Sequence, residues 1–141
     1  MFFGSFQYAL DDKGRLVIPA KLRGECGSGL FAMRGFESCL SLFPASAFEK
    51  LIQQVQQLDY TQNDVRQYVR AALASVIELT IDDHGRIQLP TETLKKYNLT
   101  KHVKIIGVHD HLELWDAETW DTYERSLEGT FEANAATVNK K

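Results

Sequence analysis

Apolar and polar residues alternate through Phe6, Tyr8 and Leu10, break at Asp11-Asp12-Lys13-Gly14, and resume with Leu16 and Ile18. Period-two alternation predicts strands, and the break predicts a β-hairpin turn: Asp can bond its own backbone, and Gly14 suits a position of positive φ. Pro19 ends the second strand and can open a short helix in "AKLRG", as Pro90 can in "TETLKKYN". Short strands are predicted near 29–34 and 39–43. The period then becomes helical. Phe48, Leu51, Ile52, Val55 and Leu58 recur on one face, with Ser46 and Glu49 spaced as a capping box. Beyond "DYTQN" a second helix carries Val65, Tyr68, Val69, Ala72 and Val76 in register, so a helical hairpin is expected here.

The series then starts again. "LDDKGRLVIPA" at 10–20 matches "IDDHGRIQLPT" at 81–91 at an offset of 71, with Asp11/Asp82, Gly14/Gly85, Arg15/Arg86 and Pro19/Pro90 identical. "MRGFESCLSLFPASAF" at 33–48 aligns with "IIGVHDHLELWDAETW" at 105–120 at an offset of 72. Order and spacing persist over about forty residues, the mark of a tandem duplication. Strands are therefore expected near 103–108 and 111–115. A closing helix follows, with Asp116 as N-cap and Trp120, Tyr123, Leu127 and Phe131 as its apolar stripe. From about 132 the pattern is lost, and a frayed tail is expected. The expected divisions are 5–47 for the first repeat, 48–75 for the helical hairpin, 76–119 for the second repeat and 120–141 for the last helix and tail. Repeats this short bury little alone, so the two copies should share one core.

With 44% hydrophobic and 25% charged residues among 141, the composition is that of a globular domain and excludes disorder over most of the length. No apolar run could span a bilayer, and the N-terminal stretch lacks the pattern of a signal peptide. The net charge of −3 argues against nucleic-acid binding through overall field. The distribution is uneven, however: residues 1–70 carry 8 basic and 7 acidic side chains, residues 71–141 carry 8 and 12. Any anionic partner must meet a local basic edge. Cys26 and Cys39 lack the spacing of zinc ligands, and His109 and His111, two apart on an expected strand, have no third ligand at a recognisable distance. No nucleophile elbow, Walker A or dinucleotide fingerprint is present, so an enzyme, a metal and a cofactor are not expected.

The residues left to carry function are cations beside the repeated turn. Strand parity puts Arg15 and Arg86 on the face opposite Leu16 and Ile87. An arginine there can fork to guanine or phosphate, or it can pin its own turn through Asp11 or Asp82. Lys13 and His84 occupy the turn tips. Lys21 and Arg23 follow the first turn closely enough to touch phosphates, or they are ordinary solvated helix charges.

The doubled "DxxGR", the opening "MFFGSF.Y.LD.KGR..IP" and the helical hairpin between half-repeats resemble the MraZ family, DNA-binding regulators related to AbrB and SpoVT. The resemblance covers about residues 1–130. It implies an α+β fold of two AbrB/SpoVT-like hairpin repeats forming a swapped-hairpin, double-split β-barrel with flanking helices. It implies a ring-shaped homo-oligomer, with eight subunits as our expectation. It further implies a cytoplasmic, nucleoid-associated regulator that binds short direct repeats of double-stranded DNA before the division and cell-wall gene cluster, its own gene included. Lys13, Arg15 and Arg86 match the family's basic turn residues; His84 stands where the first copy has Lys13. A second reading is an antitoxin-like or protein-interaction module of the same fold.

Overall fold

The computed structural model describes residues 1–139; residues 140–141, the end of the expected helix and tail, lie outside it. The first repeat runs β1 (Ser5–Ala9), β2 (Arg15–Val17), α1 (Ala20–Cys26), β3 (Gly29–Arg34), β4 (Leu40–Phe43) and α2 (Ala45–Gln56). Helix α3 (Asn63–Ala74) leads to the second repeat: β5 (Ile77–Thr80), β6 (Arg86–Gln88), α4 (Thr91–Lys96), β7 (His102–Gly107), β8 (Leu112–Asp116) and α5 (Ala117–Glu128). Helix α6 (Phe131–Val138) follows. The mixed α+β class and the duplication are as the sequence predicts. No helix among the described residues is long and apolar enough to cross a membrane.

The strand partners differ from the expected hairpins. The turn after β1 is tight, with the Gly14 N–H donating to the Asp11 carbonyl and the Asp11 N–H to the Arg15 carbonyl, both at 3.0 Å. The chain then parts. β1 runs antiparallel to β7 from Ser5↔Ile106 to Ala9↔His102, and β5 runs antiparallel to β3. β2 pairs with β6, its counterpart in the other repeat, with Leu16 opposite Ile87. The result is an antiparallel sheet in the order β1-β7-β8-β4-β3-β5 and a separate two-stranded ribbon, β2-β6. The physical reason lies in burial. A three-residue strand on its own hairpin is marginal in water. Crossing over sets Leu16 and Ile87 together at the centre of the shared core, both with 0% exposure, which stabilises by about 1.5–3 kcal/mol for each side chain.

That core also holds Ile18, Leu89, Val103, Ile105, Leu112 and Leu114, with Leu22 of α1 and the buried Tyr97 and Leu99 after α4 closing it. Alternation along β3 sends Leu30 and Ala32 into it, while Met33 turns to the opposite face and packs with Phe43 of β4 and Ala72 of α3. Phe48 of α2 stacks on Phe31 there at 4.4 Å between ring centroids. In the second repeat Trp120 and Tyr123 of α5 pack on Trp115 of β8 at 5.1 and 4.9 Å, which makes this part of the aromatic stripe a packing surface.

Several helix boundaries are also corrected. Pro44 is the N-cap of α2 and no side chain caps that helix, so Ser46 and Glu49 form no capping box; both fall inside the first turns. Asp116 does cap α5, accepting the Thr119 N–H at 3.1 Å. Val76 lies beyond the end of α3, and Phe131 lies outside α5, opening α6 at 74% exposure. The stretch expected to fray from 132 is helical to Val138, in keeping with the helix propensity of its three alanines.

Candidate nucleic-acid interface

The ribbon β2-β6 presents one face to the core through Leu16 and Ile87. Its other face carries Arg15, Val17, Arg86 and Gln88, in the register Arg15↔Gln88 and Val17↔Arg86. The two arginines are diagonal neighbours on one face, roughly 7–8 Å apart. Their turns flank the ribbon at opposite ends, and each is tied to the other repeat. The Leu89 N–H donates to the Gly14 carbonyl and the Ile18 N–H to the Gly85 carbonyl, both at 2.9 Å.

Each turn is built around its first aspartate. Asp11 Oδ1 accepts the backbone N–H groups of Lys13 and Arg15 at 2.9 Å, while Oδ2 accepts Arg15 Nε at 2.6 Å. Asp82 repeats this with the N–H groups of His84 and Arg86 and with Arg86 Nε, all at 2.9 Å. These bonds favour the carboxylate. The Arg15 backbone N–H, followed by the Arg15 side chain and the Lys13 N–H, outweighs desolvation and brings Asp11 down to about 2. Asp82 is lowered in the same way, chiefly by the Arg86 backbone N–H. Gly14 and Gly85 both hold φ at 74°, a conformation that any other residue would strain to adopt.

The aspartates fix each guanidinium through Nε and leave its outer edge free. Among the described residues the Nη atoms of Arg15 and Arg86 make no hydrogen bond, and the side chains are 29% and 27% exposed. Pinning the turn and offering a fork are thus performed by the same side chain. Lys13 and His84 are exposed at their tips, and Lys21 is exposed on α1 with no ion-pair partner among the described residues. Arg23 is not beside the first turn, where its sequence position suggested. It lies across Gly85 of the second: a Cβ built on Gly85 would stand 2.6 Å from Arg23 Cζ and 2.8 Å from Cδ. The sequence reading missed Gln88, whose Nε2 donates to the Lys13 carbonyl at 3.0 Å across the repeats.

The histidines do not pair on a strand. His109 sits in a turn at φ 70°, where its N–H donates to the Phe2 carbonyl at 2.8 Å. His111 stacks on Phe43 at 4.6 Å with Asp110 2.7 Å from Nδ1. Burial pushes His111 down, but the carboxylates of Glu113 and Asp110 outweigh it and the net shift is upward. Burial pushes the Cys26 thiol up to about 11 and that of Cys39 to about 12, so neither is a ready thiolate.

Fold and site together define a class: a two-repeat α+β protein whose halves exchange strands and expose an arginine-bearing ribbon between two aspartate-built turns. A family model described as "MraZ protein, putative antitoxin-like" matches residues 1–71 and 72–141. "Transcriptional regulator MraZ" of Natranaerobius thermophilus is 38% identical over 132 residues, covering 94% of this chain and 92% of the relative. Its namesake in Lactiplantibacillus plantarum is 40% identical over 133 residues, 94% of each chain, and that in Desulforamulus reducens 33% identical over 138 residues, 98% and 97%. The chain belongs to the MraZ family.

Proposed function

We propose that the protein is a sequence-specific DNA-binding transcriptional regulator of the division and cell-wall gene cluster, its own gene included. It binds short direct repeats in the promoter as a ring of subunits. One observation carries this reading: two arginines on one face of a two-stranded ribbon, each locked by Nε and free at Nη. A major groove about 12 Å wide admits such a ribbon, and an end-on guanidinium matches guanine O6 and N7. Arg15 and Arg86 read bases; Lys13, His84 and Lys21 meet phosphates around them. The exchange of β2 and β6 supports a swapped-hairpin barrel as the scaffold. The bound protein regulates through its own concentration.

The test is fluorescence anisotropy with duplexes carrying the promoter boxes or guanine-substituted boxes, at several salt concentrations, with circular-dichroism melts on the same samples. Arg15→Ala and Arg86→Ala should each cost about 1–3 kcal/mol of binding and flatten the preference for the true box. Normal melts with full, specific binding would refute the proposal.

A further inference from the structure

We infer that Arg23 is a phosphate-binding cation of the second turn, replacing in space the lysine that the second repeat lacks. The inference rests on the DNA-binding reading above and adds to it a residue of the other repeat.

The argument begins with the duplication. At the offset of 71, Lys13 corresponds to His84, Gly14 to Gly85 and Arg23 to Leu94. Position 23 and its counterpart 94 do the same structural job in opposite directions, since each reaches from its own helix onto the glycine of the other repeat's turn. Leu94 Cδ1 would lie 3.1 Å from a Cβ built on Gly14, and the Arg23 guanidinium covers Gly85. The first turn therefore combines a lysine at its tip with a leucine packed against it. The second combines a histidine at its tip with an arginine packed against it. Lysine with leucine has been exchanged for histidine with arginine, and each turn keeps one permanent cation besides its ribbon arginine.

The setting of Arg23 favours an external partner. It forms no ion pair among the described residues, although Asp82 and Asp83 belong to the turn it covers. Asp82 is already committed to Arg86. Arg23 Nε is buried without a hydrogen-bond partner, while the two Nη atoms also make no bond within the described residues and are not among its buried atoms. A guanidinium held by packing, with its outer edge unpaired, is preorganised for an anion that arrives beside the turn. On a ribbon lying in a groove, that anion is a DNA backbone phosphate.

The experiment uses the full chain and a duplex carrying a single promoter box, with a scrambled duplex for comparison. Arg23→Met keeps the aliphatic stem over Gly85 and removes the charge. It should leave the melt unchanged, weaken binding to both duplexes about fivefold to tenfold at 0.1 M salt, and reduce the salt slope by about one unit. Adding His84→Lys to Arg23→Met should restore affinity and slope, because the cation returns to the same turn from the other side. Wild-type affinity and slope in Arg23→Met would overturn the inference. So would a loss that follows a lowered melting temperature and is not rescued by His84→Lys. A wild-type protein with no affinity for the boxes would end the DNA-binding reading as well, whereas normal wild-type binding with a silent Arg23→Met ends this inference alone.

Discussion

Asp11 and Asp82 make the arginines useful. A free arginine on a surface strand would sample many rotamers, and ordering it on binding would cost about 2 kcal/mol of side-chain entropy. Here one carboxylate holds the turn through two backbone N–H groups and aims the guanidinium through Nε. Asp11→Ala should therefore lower the melting temperature and weaken binding together, whereas Arg15→Ala loses only a partly exposed ion pair, keeps both backbone bonds of the turn, and should act mainly on binding. Acid gives a second check. Because the folded-state value of Asp11 is depressed from 3.8 to about 2, its contribution to stability is present above 3.8 and disappears as the pH falls towards 2. Carboxyl chemical shifts followed by NMR should place its midpoint well below 3.8, the ordinary value for an aspartate.

At the scale of elements, β2 and β6 depend on each other. Leu16→Ala or Ile87→Ala removes a side chain of 0% exposure from the shared core and should cost about 2–5 kcal/mol. Either substitution should destabilise both repeats at once, seen as a single calorimetric transition moving down in temperature. Two separate transitions would mean that the halves fold independently. This dependence marks the boundary of what the sequence reveals. Alternation at Phe6, Tyr8, Leu16 and Ile18 identifies the strands and the faces they bury. Period two says nothing about which neighbour a strand takes, and a similarly patterned repeat offers an equally good partner some seventy residues away. The place of the arginines could be read from the repeated motif because their bonds to Asp11 and Asp82 are local. The place of Arg23 could not, since it follows from an exchange between halves; the change from leucine at 94 to arginine at 23 becomes meaningful only once both are seen to touch a turn glycine. The helix α6 was obscured for a different reason: its alanine-rich stretch has propensity without an apolar stripe.

For the whole molecule, the proposed DNA binding turns on the number of simultaneous phosphate contacts. A chain of net charge −3 with only a few free cations at one ribbon should bind weakly alone at physiological salt. Connecting several ribbons on one scaffold raises the effective concentration of each for the next box. Multi-angle light scattering should accordingly report a closed oligomer, with eight subunits expected, and binding to tandem boxes should exceed binding to an isolated one by well over tenfold. A monomer at micromolar concentration, or equal affinity for one box and several, would count against the ring.

The exchange of strands between repeats has a consequence for direction. Two separate identical chains that completed each other's sheets in this way would form a true twofold, and a twofold reader suits a palindrome because its halves cannot differ. Joining the halves in one chain keeps the mutual completion but lets each side drift, as the lysine-leucine and histidine-arginine turns have done. The ribbon thereby acquires a front and a back. If it reads DNA as proposed, such a ribbon lies on the duplex in one orientation only, and a row of such readers facing the same way around a scaffold calls for boxes that also point the same way.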